Sequence, residues 1–491
     1  MRFGISDLGM RILFFSLCLG VSAVQAIAQI PEPGPARPVN IPAVQEKKLK
    51  NGLTVAVIEK KGVPIVTAQL LVRSGASSEP AAKAGLADLT GSLLTKGTKT
   101  RTAEQIAEEM EFLGGSINSG AGWNSSSVTM SVTSDKVDQG MAIMADVVIN
   151  PSFTEKELEL LRSQTLDELK YNLTQPGFLA NYVASVYSFR EHPPGGTTSS
   201  IESLTQADLR DFYGRIFRPA NSVLILTGDI SAEKAFAVAE KLFGNWSAPA
   251  ELRLDRGPQN GSEVEARAVA NRITVIDLPN SGQASVNYYK PIRNLGRSSK
   301  DYYTASVLNS LLGGGYSSRL NLEIRIKRGL SYGAGSSFTW RGWKTNFGTR
   351  TQTKNESAAE VAELVIAELK RLKESTATAD ELGPRKSVLT GNFGRNLETT
   401  GGLTGALADL YTFEIPTAEL NSYVARVSAV GAANVKDFAG KHLYGGDVII
   451  VGDYAKFKDD LAKRFPDMKI DVVKVDELNI DSPTLRKSDI P

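Results

Sequence analysis

Two hydrogen-bond donors, Arg325 and Tyr332, stand seven positions apart in a segment whose pattern changes from helix to strand. The guanidinium group stays charged and the phenolic hydroxyl also donates, so the pair could stabilise an oxygen atom that becomes negative during a reaction. The local pattern also fits a plainer role, in which the arginine interacts with the helix dipole and the tyrosine packs into the core. The tight turn between them would let both side chains point the same way.

Groups that could activate water or attack a substrate are scarce in this sequence. The only histidines, His192 and His442, are about 250 residues apart, so no two histidines have the spacing of a metal-binding helix. The single cysteine, Cys18, lies in a segment that we expect to be removed. No GxSxG nucleophile motif or complete phosphate-binding loop is present. We therefore interpret each histidine as structural.

The segment that carries the two donors is predicted to form a glycine loop, a helix and a strand. The loop contains Gly313, Gly314 and Gly315. Glycines at these positions end the preceding helix, and Ser317 and Ser318 can cap the next one. That helix is expected to end near Arg328, where basic residues precede a glycine, and the strand to run from 331 to 338.

The first part of the chain resembles a secretory leader. Basic residues, an apolar run and small residues over 1–28 predict a cleavable signal peptide, followed by an extended, proline-rich lead over 29–43. A lipoprotein signal is a weaker alternative, because Leu17 before Cys18 fits it poorly. We expect a periplasmic or secreted protein without stable membrane insertion. The formal net charge of +2 on 491 residues gives no electrostatic reason for nucleic-acid binding.

An internal repeat indicates a duplicated domain. Thr154 and Thr378 each begin a capping-box pattern before a long helix, and strands ending at Asp229 and Asp453 recur at the same offset. Strands and helices alternate irregularly, which predicts an α+β fold of two homologous halves, each a mainly antiparallel sheet packed with helices. The predicted organisation is an N-terminal half over 44–247, a linker over 248–261, a C-terminal half over 262–473 and a tail over 474–491.

The motifs GGGYSSRL and IRIKRGLSYG resemble the insulinase/pitrilysin superfamily of zinc metallopeptidases, in its bacterial two-subunit branch. The resemblance implies two halves that face each other as a clamshell. It also implies that Arg325 and Tyr332 contact the peptide at the scissile bond. The implied substrate-binding residues are Gly313, Gly314, Gly315, Ser317 and Asn118.

In that family the N-terminal half of an active chain carries an HxxEH zinc motif on a helix. Here Asp88, Gly91 and Ser92 stand at the histidine, glutamate and histidine positions, and only Glu168 matches the distant carboxylate ligand. We therefore expect no zinc in this chain. A weakly held hard cation between Asp88 and Glu168 is a remote alternative, because two carboxylates without imidazole make a poor zinc site.

The resemblance implies a chain that pairs with a homologous HxxEH-bearing subunit, which holds the zinc, and that helps to degrade peptides. Arg325 and Tyr332 would then serve a site whose metal belongs to the partner. Two alternatives stay open. The chain could be a catalytically silent scaffold or assembly subunit, or a periplasmic peptide-binding protein that works alone.

Overall fold

The computed structural model describes residues 41–247, 270–480, 482 and 484–487. The predicted signal peptide (1–28), most of the predicted lead (29–43) and the predicted linker (248–261) lie outside these residues. The boundaries assigned to the two halves thus stay predictions. Within the described residues, no helix combines the length and apolar character that crossing a bilayer requires.

Twelve strands are present in the described part of the chain. They are β1 (Gln45–Lys48), β2 (Thr54–Glu59), β3 (Ile65–Val72), β4 (Ser116–Ala121), β5 (Ser126–Thr133), β6 (Ser222–Gly228), β7 (Ala270–Asp277), β8 (Ala284–Arg293), β9 (Ala334–Trp340), β10 (Lys344–Thr353), β11 (Gly446–Gly452) and β12 (Ile470–Lys474).

The α-helices of the same residues are α1 (Leu86–Leu93), α2 (Ala103–Phe112), α3 (Val137–Ile149), α4 (Glu155–Asn172), α5 (Pro176–Tyr187), α6 (Thr198–Ser203), α7 (Gln206–Ile216), α8 (Ala232–Phe243), α9 (Tyr302–Leu312), α10 (Arg319–Asn321), α11 (Ala358–Glu374), α12 (Ala379–Leu397), α13 (Thr400–Thr412), α14 (Glu419–Ala429), α15 (Ala432–His442) and α16 (Lys458–Arg464). One-turn 3-10 helices lie at Ala76–Ser78, Ala81–Lys83, Ser134–Lys136, Pro219–Asn221, Asn355–Ser357 and Tyr454–Lys456.

The strands form two six-stranded sheets that match in order over five strands and differ at one edge, which is β1 in the first sheet and β12 in the second. The first runs β1-β2-β6-β3-β5-β4, and the second runs β12-β7-β11-β8-β10-β9. Seven of the ten strand pairings in the described residues are antiparallel, and the three parallel ones are β2 with β6, β11 with β7 and β12 with β7. The predicted α+β fold with mainly antiparallel sheets is confirmed.

The sequence predicts a strand pair across Lys60, Lys61 and Gly62, and the observed pairing differs from this prediction. The apolar runs on either side of Lys60, Lys61 and Gly62 form β2 and β3, but these two strands are not hydrogen-bonded neighbours. Strand β6 lies between them, parallel to β2 and antiparallel to β3. All seven residues of β6 are buried, so it is the more apolar strand that takes the central position.

The repeated capping pattern is complete in only one half. At α12, Thr378 accepts from the backbone N–H of Glu381 and the Glu381 side chain accepts from that of Thr378. At α4, Thr154 accepts from the backbone N–H of Glu157, at 3.4 Å, without the return bond. The first long helix is therefore capped less tightly than the second.

The halves exchange one helix each across their contact. Helix α5, from the first half, packs on β8 and β11 of the second sheet, where Leu179 and Val183 are buried against Tyr289 and Ile449. Helix α13, from the second half, packs on β3 and β6 of the first sheet. The two helices follow α4 and α12 respectively, so the exchange is reciprocal.

A buried acid also joins the halves. Glu191, between α5 and α6, accepts hydrogen bonds from Arg341 at 2.9 Å and Asn346 at 3.0 Å, and its carboxylate lies 2.7 Å from Lys344 Nζ. Burial would raise the pKa of Glu191, but the charges and hydrogen bonds of Arg341 and Lys344 hold it below its usual range. The loop before α6 is thereby fixed to the β9–β10 hairpin.

Candidate functional site

The glycine loop is shaped by close backbone packing. A Cβ atom at Gly313 would lie 2.2 Å from the backbone nitrogen of Ser336, and one at Gly314 would lie 2.8 Å from Cα of Ser310. Both positions therefore exclude larger residues. Gly315 has more room, with Arg385 Nη1 at 3.7 Å from the equivalent point. The end of α9 is thus held against the start of β9.

The predicted helix after the loop forms, with a different hydrogen-bond pattern. The single α-turn of α10 continues into a π-turn over Leu322–Ile326, in which the N–H of Lys327 donates to the carbonyl of Leu322 at 2.9 Å. Ser318 takes the N-cap position, but its hydroxyl donates to the carbonyl of Gly315 instead of accepting from the helix. Single π-turns of this kind often occur at functional sites.

The turn that follows ends the helix as predicted. Gly329 has a φ of +66°, its N–H donates to the carbonyl of Arg325 at 3.0 Å, and the N–H of Leu330 donates to the carbonyl of Ile324 at 2.9 Å, so a left-handed glycine closes the helix. Strand β9 begins at Ala334, three residues later than the predicted start at Ser331. Tyr332 therefore lies in the turn itself and not on the strand.

Arg325 and Tyr332 line the same cavity, of about 820 Å³. Arg325 is half-buried, and its guanidinium carbon lies 5.1 Å from the ring centre of Tyr316, which comes from the glycine loop. Tyr332 is 90% exposed, so the core role that its local pattern allows is excluded. The two donors thus share one open, water-accessible space.

The predicted substrate-binding residues divide into two groups. Gly313, Gly314 and Gly315 line this cavity. Ser317 does not line it, and its hydroxyl accepts a hydrogen bond from the guanidinium of Arg385. Asn118 lies in the other half, exposed on the edge strand β4, and does not line the cavity either.

Other lining residues were not singled out from the sequence. Asn321 donates to the carbonyl of Tyr316 and accepts from the N–H of Ala334 at 3.3 Å, so that it connects loop, helix and strand. Arg350 and Gln352, on β10, also line the cavity. Tyr316 belongs to the GGGYSSRL motif, and the TRTQT stretch, which alternates threonine with larger polar residues, is the sequence signal for Arg350 and Gln352.

The positions of the family's zinc motif lie on helix α1, which packs tightly on β4. A Cβ atom at Gly91 would be 2.7 Å from the carbonyl carbon of Gly120 and 2.8 Å from the nitrogen of Ala121. Backbone atoms therefore occupy the space in which a glutamate side chain would begin. Beyond the end of α1, the hydroxyls of Thr95 and Ser119 lie 3.2 Å apart, which adds a second contact to the same strand.

Asp88 and Glu168, the two acids near this helix, interact electrostatically. Burial raises the pKa of Asp88, and the charge of Glu168 raises it further. Among the described residues, no positive charge is found that offsets this repulsion. Across residues 41–247 and 270–487, as far as they are described, no group of three or more histidine, cysteine or acidic side chains could hold a metal. The residues present do not fit zinc.

The two histidines have local roles. His192 lies 3.5 Å from the carboxylate of Glu79, with its ring 4.9 Å from that of Trp123, and burial lowers its pKa. Burial also lowers the pKa of His442 to about 4, and its ring packs 4.6 Å from Phe438. Neither histidine lines the cavity that holds Arg325 and Tyr332.

Comparison with known proteins agrees with this geometry. Residues 54–186 match the family described as insulinase (peptidase family M16), and residues 203–388 match the peptidase M16 inactive domain. An uncharacterized zinc protease of Rickettsia felis is 30% identical over 295 residues, which is 59% of this chain and 68% of that protein.

Solved structures give the same result. The peptidase M16 inactive domain from Pseudomonas fluorescens is 26% identical, with a TM-score of 0.74 over 83% of this chain and 98% of that one. A protease from Helicobacter pylori is 20% identical and shares the fold, with a TM-score of 0.77 over 84% of this chain and 100% of that one. This chain belongs to the insulinase (M16) peptidase family, as a member that lacks the zinc motif.

Proposed function

We propose that this chain is the subunit of a heteromeric zinc peptidase that binds no metal itself and supplies Arg325 and Tyr332 to the zinc site of a homologous HxxEH-bearing partner. One observation carries the proposal. The turn that presents the two donors is intact and open to a cavity, while helix α1 lacks every zinc-motif side chain and is closed by Gly91 against β4. A chain that has lost the zinc-binding part of the site but keeps the Arg/Tyr part favours an active site that is shared between two chains.

The chemistry expected of the pair is electrostatic. When a peptide carbonyl is attacked, its oxygen becomes negative, and donors aimed at that oxygen lower the barrier. Arg325 brings a fixed positive charge and Tyr332 a hydroxyl, and both are accessible from the cavity. Neither group activates water, which is the task of the metal in the partner subunit.

Peptides are the proposed substrates, and the periplasm or the exterior of the cell is the proposed location. The glycine loop leaves the cavity wall without side chains at Gly313, Gly314 and Gly315, where an extended backbone could approach closely. The proposed signal peptide and the absence of structural cysteines from residues 41–491 are consistent with export.

The test is a reconstitution. The chain and a homologous HxxEH-bearing protein from the same organism are purified separately, and zinc content and cleavage of quenched fluorescent peptides are measured for each alone and for the mixture. We expect this chain alone to bind no zinc and cleave nothing, and the mixture to cleave faster than the partner alone. A mixture no faster than the partner would reject the shared site and leave the scaffold role.

A further inference from the structure

We propose that the cavity beside Arg325 selects peptides through a carboxylate group, and that Arg350 is the residue that binds it. This inference rests on the proposed function, since it names the substrate class of the same site. The carboxylate can come from an aspartate or glutamate side chain of the peptide or from its C-terminus. Arg350 would act as a specificity residue and not as part of the reaction itself.

The first support is the charge of the cavity lining. Among the described residues that line it, Arg325 and Arg350 are the only ionised side chains, with no aspartate, glutamate, lysine or histidine. In the part of the chain that the structure describes, neither arginine forms an ion pair: Arg325 packs on Tyr316, and Arg350 has no recorded acidic neighbour within 4 Å. Most other arginines near α10 and β10 are paired, as Arg319 is with Glu381 and Arg341 with Glu191.

The second support is the position of Arg350. Residues 349–353 of β10 alternate between buried threonines and exposed polar side chains, which places Arg350 and Gln352 on the exposed face. On the neighbouring strand β9, Arg350 is paired with Gly335, and a Cβ atom at Gly335 would lie 3.7 Å from Nε of Arg350. Because Gly335 has no side chain, the guanidinium group is not covered from that side.

The third support is an irregular stretch of sheet under the cavity. The pairing of β10 with β8 runs from Lys344 to Gly348 and resumes at Gln352. Between these points side chains take over, with the N–H of Tyr288 donating to Thr349 Oγ1 at 2.9 Å and the N–H of Thr351 donating to Asn287 Oδ1 at 3.2 Å. Asn287, which lines the cavity, is thus held in place by the backbone of the sheet itself.

A carboxylate is the group that fits these observations. The planar guanidinium of Arg350 can donate two hydrogen bonds to the two oxygens of a carboxylate. Neutral amide and hydroxyl side chains of the lining can donate to the lone pairs that remain on those oxygens. The described lining residues carry no negative charge that would repel the carboxylate. Arg325 lies next to the turn that holds Tyr332 and is assigned to the scissile carbonyl. Arg350 is therefore the cation that remains for recognition.

The test measures binding of labelled peptides to the purified full chain. The peptides are extended and otherwise neutral, and each carries a single glutamate at a different position. Each has a matched peptide with glutamine at the same position. A separate pair of peptides differs only at the C-terminus, which is a free carboxylate in one and an amide in the other. We expect at least one acidic peptide to bind roughly 10- to 100-fold more tightly than its neutral match, the range for a charge-assisted hydrogen bond. The difference should shrink as salt is added.

Variants connect the effect to one side chain. Arg350→Gln should remove the preference for the acidic peptide while the neutral peptide binds as before. Arg293→Gln is the matched control, because Arg293 is exposed at the end of β8 and does not line the cavity, and it should keep the preference. Equal binding of acidic and neutral peptides, no binding of either, or a preference unchanged in Arg350→Gln would overturn the inference.

The outcomes separate this inference from the proposed function. Faster cleavage in the reconstituted mixture without any acidic preference would refute the role of Arg350 alone. An Arg350-dependent acidic preference without faster cleavage would refute the shared zinc site and leave a peptide-binding chain. The side-chain and C-terminal pairs identify which carboxylate is bound.

Discussion

Replacement of Gly91 by alanine is expected to destabilise the chain, although alanine normally favours a helix. Gly91 lies within α1, and the added Cβ atom would meet backbone atoms of β4 at 2.7 and 2.8 Å. Real Cβ atoms do not approach backbone so closely, so either α1 or β4 must move. Both are tied in place, α1 by its buried leucines and β4 by its pairing with β5.

The expected size follows from two opposing effects. Alanine in place of glycine inside a helix is favourable by about 1 kcal/mol. Forcing an extra methyl group into a packed contact costs about 1–3 kcal/mol. The net loss of unfolding free energy at Gly91 should thus reach about 2 kcal/mol, and it should be largest if the backbone of β4 cannot shift.

Gly214→Ala provides the matched control. Gly214 also lies inside a helix of the first half, α7, and a Cβ atom there would have nothing within 4 Å. It should gain up to about 1 kcal/mol from helix propensity alone. Both variants are compared with the parent by thermal and urea unfolding. If Gly91→Ala is as stable as Gly214→Ala, the close packing of α1 on β4 is wrong.

The same packing makes the zinc motif hard to restore. A chain with Asp88→His, Gly91→Glu and Ser92→His would regain the HxxEH pattern, but its glutamate would start from the blocked position. We expect it to unfold more readily than the parent and to bind no stoichiometric zinc by atomic absorption. A folded variant with one zinc ion per chain would refute this reasoning.

Three further predictions concern the site and the buried acids. In the active mixture, Arg325→Ala or Tyr332→Phe should lower turnover by about 10²-fold, as the loss of an oxyanion donor can, and unchanged rates would favour the scaffold role. Glu191→Gln should lower the free energy of unfolding by about 3 kcal/mol, measured by thermal unfolding, because it leaves the buried Arg341 without its counter-charge. Because the pKa of Glu191 is lowered in the folded chain, its contribution to stability is present above the unfolded pKa and is lost as the pH falls. Burial raises the pKa of Glu79 to about 8, so its contribution to the free energy of unfolding should be full below pH 4.5. That contribution should be lost as the pH rises toward 8, by up to about 1.4 kcal/mol per pH unit. Glu79→Gln should flatten this part of the curve of stability against pH, and an unchanged slope would contradict the prediction.

Local signals in the sequence predicted the elements well. The Thr378 pattern begins α12 with a full capping box, Gly329 ends the helix of the donor segment, and the matching strands β6 and β11 are both buried throughout. Each of these depends on residues close together in the chain. The presence of Arg325 and Tyr332 on one cavity also followed from a short turn.

Features that depend on distant residues were not predictable in the same way. The insertion of β6 between β2 and β3 pairs residues that are 150 or more positions apart in the chain. The exposure of Arg350 depends on its pairing with Gly335, a contact that only the assembled sheet defines. No residue pattern in the sequence distinguishes the π-turn at Leu322–Ile326 from an α-helix, because the same residues would fit either.

The exchange of α5 and α13 has a consequence for how this protein is built. Neither sheet is covered by helices of its own half alone, so a single half would leave an apolar sheet face in water. Such a half could complete itself only by trading helices with a second copy. The chain therefore has the construction of a helix-exchanged dimer contained in one polypeptide, and a substitution at either exchanged helix would loosen the opposite sheet.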